Sequence, residues 1–515
     1  MRSTFMGLEA SKRGLFTQQS ALYTTGHNIS NANTQGYSRQ RVNMETTEGY
    51  PGTGLNSAKS AGHIGTGVEA HSVQRIRDQF IDRQYRQETN KLGYWESKTK
   101  SISQMEDIMS EPSEFGLNQS FTEFWKSMED VIDNPKDTAA RQVMISKGEA
   151  LADSFNYMDT QLKSIQGNIG NELLVSTDRV NSILNQIASL NKQIQSVEPN
   201  GYMPNDLYDT RDVLVDELNS YLPVSISKIP SGGNALAIAE GGLRISFKPT
   251  NGQEIVLVDG KDFVKIAALD TANKPVDGDV DNQVENGYFP FKEFAVSSLG
   301  EPPVDATNAS PQKIQYDQLE KSKGQLLSLI DSYGHSDGKG LYPEMLANLD
   351  TLASVFVSQF NLVHQAGKDL EGVEGGKFFE GDSAKNMSVV LKDTNKIAAS
   401  SQPGEVGNNE NAHALSKLQT TVQGTLKDGT FQSFYKSLIG DLGVTGQEAI
   451  RLEFNSTTLR LQIENNRASQ SSVSLDEEMT NMITFQQAYN ANARMVTVID
   501  EVLDKIINGM GRVGL

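Results

Sequence analysis

Cysteine is absent from this sequence. That excludes disulfides, thiolate metal sites and cysteine nucleophiles, and leaves a chain indifferent to the redox state of its surroundings. Aromatic residues are scarce as well, 7% of the 515 residues, and only 37% are apolar. Cores should therefore be thin, with elongated helical packing favoured over one thick globule. Positive charge is in deficit: the net charge of -19 argues against a nucleic-acid backbone or an anionic membrane surface as partner, because both would repel the chain. Long apolar runs are missing, so no membrane insertion is expected. The stretch from Met1 to Gly7 carries one Arg and no apolar core, so a cleavable secretory signal is not expected either.

What the sequence does contain is a long patterned helix at each end. Leu475, Met482, Tyr489, Val496, Leu503 and Met510 fall seven apart, and Phe485, Ile499, Ile506 and Val513 form a second row. Such a stripe is a seam for partner helices. Asn492 is a polar member of it, placed to fix register or simply tolerated. Ser474 and Glu477 have capping-box spacing at the start, and Gly509 marks the end. At the other terminus Leu8, Leu15, Leu22 and Ile29 also repeat at seven, while Lys12, Gln19 and Gly26 make the alternate row polar. The two stretches are expected to pair as a coiled coil that other copies or partners complete.

Between them the expected fold is mainly α with an inserted β-rich domain. Helical spacing runs from Leu92 to Met109, from Phe121 to Val131, from about Lys136 to Val197, from Leu207 to Leu218, from Ile314 to Asp331 and from Tyr342 to His364. Shorter helices are expected at Ala412 to Gln419, Phe431 to Ile439 and Gln447 to Arg467, with 367 to 410 loop-like. Eight of the fifteen prolines lie between Pro223 and Pro311, where Val224-Ile226, Leu236-Ile238, Leu243-Ile245-Phe247 and Ile255 to Val258 read as strands. The expected division is 1–75 with 468–515, 76–222 with 312–467, and an outward β-rich insert at 223–311.

Candidate chemistry is weak throughout, and no cofactor or metal is expected. Gly334-His335-Ser336-Asp337-Gly338 matches a nucleophile-elbow pattern, but the residues before it read as helix, where the elbow needs a strand. Asp277, Asp279, Asp281 and Glu285 imitate a calcium loop with Asn282 where Gly is needed and Tyr288 where the bidentate Glu is needed. The six histidines show no metal-ligand spacing.

A more specific signal follows the first helix: Asn28-Ile29-Ser30-Asn31-Ala32-Asn33-Thr34-Gln35-Gly36-Tyr37-Ser38-Arg39-Gln40. Residue by residue this is a polar C-cap and turn. As a string, its Asn31, Asn33, Thr34, Gly36 and Tyr37 resemble the signature of the flagellar axial proteins, the rod, hook and hook-associated family. Leu475-Asp476-Glu477-Glu478-Met479 through Phe485-Gln486-Gln487-Ala488-Tyr489-Asn490-Ala491-Asn492-Ala493 resembles the matching C-terminal signature. Glu111-Pro112-Ser113, Asn134-Pro135 and Asp209-Thr210-Arg211-Asp212 are similar to the hook-associated branch, from which Ser472 departs where Gly is usual. The resemblance implies a structural adaptor joining hook to filament, without enzymatic activity. Its implied partners are the hook protein, a second hook-associated protein followed by the filament, and other copies in a ring. It also implies a cytosolic export chaperone on the C-terminal helix and type III export to an extracellular position. A distal rod or hook subunit, or a wall hydrolase using Ser336, are the alternatives.

Overall fold

A computed structural model of the chain describes residues 4–49, 65–109, 116–249, 252–276, 288–300, 312–335 and 338–509. Ser336, the acidic turn beginning at Asp277, Glu111-Pro112-Ser113, Met510 and Val513 lie outside the described residues. The protein is mostly helical, with small sheets set among the helices, and its longest helix serves as a spine.

That spine, the 60-residue helix Thr138–Val197, is ~90 Å long at 1.5 Å per residue. Asp137 starts it by accepting hydrogen bonds from the amides of Ala139 and Ala140. Gly148, Gly167 and Gly170 lie inside it and are buried. Tertiary packing therefore overrides their poor helix propensity. In chain order the helices are α1 (Thr4–Ser30), α2 (Gln79–Met109), α3 (Leu117–Asp133), the spine α4, α5 (Asn205–Tyr221), α6 (Tyr316–Leu319), α7 (Gln325–Tyr333), α8 (Leu341–Ala366), α9 (Glu410–Lys417), α10 (Phe431–Ser471) and α11 (Leu475–Gly509).

The two ends of α4 carry different cargo. Near its start, α3 and α8 pack against it around an aromatic cluster. Phe124, Phe356, Phe360, Phe378 and Phe379 are all fully buried, with ring centroids 5.2 Å apart for Phe356–Phe379 and 5.3 Å for Phe360–Phe378. The segment expected to be loop-like is thus anchored by two buried phenylalanines. Asn361 holds their backbone by accepting from the Phe378 and Phe379 amides and donating to the Phe379 carbonyl. A lone strand pair, β10 (Phe379–Glu380) with β11 (Ser388–Val389), closes it.

Near its other end α4 lies under two antiparallel meanders. The first runs through β3 (Ser225–Ile229), β4 (Gly242–Phe247), β5 (Ile255–Asp259) and β6 (Asp262–Phe263), the second through β7 (Ile266–Asp270), β8 (Phe291–Val296) and β9 (Gln312–Gln315). Asn191 donates from its amide to the carbonyls of Leu243 and Gly260, and Asn181 pairs with the backbone of Ile266. The β-rich part shares one continuous hydrophobic core with the helices.

α10 is one unbroken helix of 41 residues, where two separate pieces were expected around Gly440, Gly443 and Gly446. It runs antiparallel along α2, from the Tyr435 hydroxyl on the Met109 carbonyl to Arg467 on Asp82. Lateral support from α2 offsets the glycines. The helix expected from Ile314 is instead strand β9, the short α6 and α7, because Gly324 interrupts with a positive φ of 116°. Among the described residues no helix is long and apolar enough to cross a membrane.

The aromatic cluster is the part of the core least able to lose a ring. Phe356→Ala should cost ~3–5 kcal/mol. The measurement is urea unfolding followed by the fluorescence of Trp125, whose ring centroid lies 6.0 Å from that of Phe356. A change below ~1 kcal/mol would mean the site collapses around the cavity.

Candidate assembly interface

α1 and α11 pack against each other as an antiparallel pair. A Cβ on Gly7 would lie 3.5 Å from the Ile499 side chain, and one on Gly14 would lie 3.0 Å from the Asn492 amide. Asn28 donates to Glu478 at 3.1 Å. Each step of seven along α1 is thus answered by seven in the opposite sense along α11. The α1 row nearest α11 is Gly7, Gly14, Ala21 and Asn28, small and polar. Leu8, Leu15, Leu22 and Ile29, the row the heptads pointed to, are half-buried beside it. Small residues allow close helix approach, which leaves room for Asn492 and for Phe485 opposite them. The other face of α1 rests on the hairpin of β1 (Gln40–Thr46) and β2 (Val68–Arg75), where Thr17 donates to the Val68 carbonyl.

On α11, Met482, Phe485, Tyr489, Asn492, Val496, Ile499 and Leu503 are half-buried. Leu475 and Ile506 continue the rows of Met482 and Ile499 but lie past the ends of α1, and are 50% and 40% exposed. Off the seam, Met479 and Ile483 near the start of α11 and Met495, Val498 and Val502 towards its end are exposed as well. On α1, Phe16 and Tyr23 are exposed too, at 55% and 79%. The reason is geometric: one partner helix covers one stripe, and α11 carries apolar residues around more of its circumference than α1 can reach.

The Asn-rich turn locks this pair to the rest of the chain. The Asn28 side chain donates to the Gln40 carbonyl at 2.8 Å and accepts from the Gln40 amide and the Tyr37 hydroxyl. His27 lies 3.0 Å from the same hydroxyl. Gly36 has φ 81°, and a Cβ there would fall 2.2 Å from Val213 on α5, so glycine is required on both counts. Asn33, Thr34 and Gly36 are exposed, while Asn31 and Tyr37 are half-buried.

Directly after the turn comes a buried ionic joint. Arg39 donates to Glu478 and Glu477, both at 2.7 Å, and Glu478 is 2% exposed. Glu477, read from spacing as a capping residue, thus reaches across the chain. Ser38 donates its amide and hydroxyl to Asp209 at 3.0 and 2.7 Å. Asp209, Asp212 and Asp216 recur at three and four along α5, so they share one face. Arg75 and Arg77 from the end of β2, Arg86 from α2 and Arg467 from α10 converge on that face at 2.6–3.0 Å. Burial on its own would raise the Asp212 carboxyl, but Arg77, Arg75, Arg86 and Arg211 outweigh it and hold the group well below the usual carboxylate range.

The heptads and the signature string located the terminal pair and the turn. They did not locate Arg75, Arg77, Arg86, Asp216 or Arg467. The available signal was the carboxylate stripe of α5 with the period-two arginines Arg75 and Arg77. Elsewhere, His335 stacks on Tyr316 with centroids 3.7 Å apart, and Gly334 follows α7, so the strand-to-helix context of a nucleophile elbow is missing. No group of three or more potential metal ligands occurs among the described residues.

Comparison with known proteins agrees with this arrangement. Residues 102–379 match the family described as flagellar hook-associated protein FlgK helical domain, and residues 465–509 match flagellar basal body rod FlgEFG protein C-terminal. Flagellar hook-associated protein 1 of Bacillus subtilis (strain 168) is 43% identical, covering 99% of both chains. That of Salmonella typhimurium is 28% identical over 96% of this chain and 98% of its own. The solved flagellar hook junction protein FlgK from Burkholderia pseudomallei covers 76% of this chain and all of its own, with a TM-score of 0.60 at 14% identity, a likeness of fold.

Two outcomes test the joint. Glu478→Ala removes the buried acceptor shared by Arg39 and Asn28 and leaves Arg39 only the exposed Glu477, an effect of ~1–3 kcal/mol. Hydrogen exchange in α1 and α11 should accelerate while the melting of the helical body is unchanged; slow exchange in the variant would show that the pair docks without this contact. The second outcome concerns pH. A carboxyl depressed in the folded state contributes fully above its ordinary value of ~4 and is lost only as pH falls through its lower folded value. Asp212 should therefore stay charged and hold Arg77, Arg75 and Arg86 at pH ~4, although Asp209, whose carboxyl burial raises, is protonated first; limited proteolysis near Ser471 follows the joint, and Asp212→Asn should open it at neutral pH.

Proposed function

The chain belongs to the flagellar hook-associated protein 1 family, and from that premise we propose that it works as the junction subunit between hook and filament. It is a structural component of the bacterial flagellum. In this reading a ring of copies sits on the hook, contacts a second hook-associated protein and hands the structure on to the filament. α1 and α11 form the inner coiled-coil layer, and the helical body with its β-rich part forms the wall.

The observation that carries the reading is the uncovered apolar face of the terminal pair. Met479, Ile483, Val498 and Val502 on α11, with Phe16 and Tyr23 on α1, are exposed in the single chain. Large apolar side chains left uncovered along both helices call for a partner. The proposed subunit-interface set is therefore Leu475, Ile506 and these exposed neighbours, flanked by the turn residues Asn33, Thr34 and Gly36. An export chaperone on α11 meets the same need before assembly, and export leaves the chain uncleaved on its way to the extracellular flagellum. No enzymatic step is assigned. A self-polymerising rod or hook subunit shares the terminal region, but the helical domain across 102–379 is of the hook-associated kind.

Co-sedimentation with isolated hooks tests this. The protein should bind saturably at the hook end without forming tubes alone. Ile483→Asp with Val498→Asp should weaken that binding at least ~tenfold, since each buries a charge in the contact, while leaving the α1–α11 pair intact. Val496→Asp or Leu503→Asp, whose side chains face α1, should split the pair and also abolish incorporation. Normal incorporation of the exposed-face double variant would remove that face from the interface.

A further inference from the structure

A cleft of about 1290 Å3 opens between α2, α5 and the edge of the first meander. Its charge runs against the rest of the protein. Ten of its lining side chains are Arg or Lys and three are Asp or Glu, in a chain whose net charge is -19. The three acids are already engaged. Asp212 is held by Arg75, Arg77 and Arg86, Asp82 by Arg77 and Arg467, and Glu240 by Arg75 and Arg211. Lys91 and Lys248 pair with Glu88 and Glu254 at the rim.

Four cations remain without an acidic partner within ion-pair distance among the described residues: Arg83 from α2, Lys228 from β3, and Lys321 and Lys323 from the loop before α7. The Lys323 ammonium lies 4.1 Å from the Tyr94 ring centroid and 5.0 Å from that of Trp95. Lys98 sits over the same two rings, so two ammonium groups share one aromatic pair. Deeper in the wall, the Nε of Arg75 and of Arg211 are buried with no hydrogen-bond acceptor. Uncompensated cations gathered in a concave, partly low-dielectric site focus a positive potential that an anion would relieve.

We propose that this cleft binds an extended acidic peptide segment, presented by a neighbouring subunit of the assembled tube. The identity of the neighbour rests on the junction reading; the anion site does not. The free cations come from three separate segments of the lining, α2, β3 and the Lys321 loop, so they suit several spaced carboxylates better than one phosphate. A nucleic acid is disfavoured because its backbone would extend over the acidic surface outside the cleft, and because the lining aromatic ring, Tyr208, is fully buried beside Arg75 and Arg211 and offers no face to a base.

The probe is a hexaglutamate peptide titrated calorimetrically into the full chain. Saturable binding is expected, weakened at least ~tenfold as salt is raised from ~50 to ~300 mM. It should be abolished in the triple variant Arg83→Glu, Lys228→Glu, Lys321→Glu, with circular dichroism unchanged. The gentler pair Lys228→Gln and Lys321→Gln should weaken it several-fold and covers the case of a misfolded triple variant. Absent binding, equal binding by the variants, or full displacement by inorganic phosphate at matched charge would overturn the site. In hook co-sedimentation, saturating peptide should block incorporation of the unaltered protein. Peptide that binds without affecting incorporation would overturn the neighbour assignment alone, whereas failure to bind hooks even without peptide would count against the junction reading and leave the cleft intact.

Discussion

Everything in this fold that has to hold a direction depends on one buried ionic joint. α5 offers Asp209, Asp212 and Asp216 on a single face, and arginines arrive on it from β2, α2 and α10. Desolvating so many charges is expensive, and such networks often add little net stability. What they do enforce is geometry, because an arginine fork accepts few arrangements and a misplaced one leaves a buried charge unpaired. The polypeptide crosses from the terminal hairpin to the body only around Arg75 and around Ser471, and short crossings alone would act as hinges. The joint removes that freedom. Arg39 and Glu478 extend it into α11, and Ser38 extends it into the turn.

The terminal pair itself shows the opposite character. Its contact row pairs glycine, alanine and asparagine with Ile499, Asn492 and Glu478, so the helices approach closely but bury little apolar surface against each other. Two helices joined this way are marginal in water. Met479, Ile483, Met495, Val498 and Val502 remain exposed beside that contact row. A chain built like this has a body with its own core and an end that leaves apolar side chains uncovered, with the joint fixing where that end points.

The sequence made some of this legible and hid the rest for identifiable reasons. Heptads at both termini, the 60-residue α4 and the strand-rich centre could be read because periodicity survives without knowledge of partners. The row of α1 that meets α11 could not, since Gly7, Gly14 and Ala21 carry no hydrophobic signal and the leucines beside them carry all of it. The unity of α10 was masked by Gly440, Gly443 and Gly446, whose poor local propensity is overruled by α2, which no local window contains. The joint was masked differently. Asp209-Thr210-Arg211-Asp212 stood out as a string, but charged residues on a helix usually mean a solvated face. Only the fold brings Arg75, Arg77, Arg86 and Arg467 from distant positions to the same spot.

The β-rich part is drawn into the same arrangement. Arg75 bridges Asp209, which holds the signature turn through Ser38, to Glu240 at the edge of β4. Arg211 repeats the connection, donating to the Gly241 carbonyl and pairing with Glu240 while its plane lies on Tyr208. Glu198, at the end of α4, accepts from Tyr208, Ser231 and the Gly241 amide and closes the circuit. The strand region therefore cannot tilt without disturbing the residues that orient the terminal helices, and the converse holds equally. Packed cores and saturated ionic networks resist gradual deformation, so a load applied at the terminal pair would reach the β-rich part through α5 with little loss in angle. For a component of the hook-filament junction, that stiffness fixes the angle at which the terminal pair meets the body.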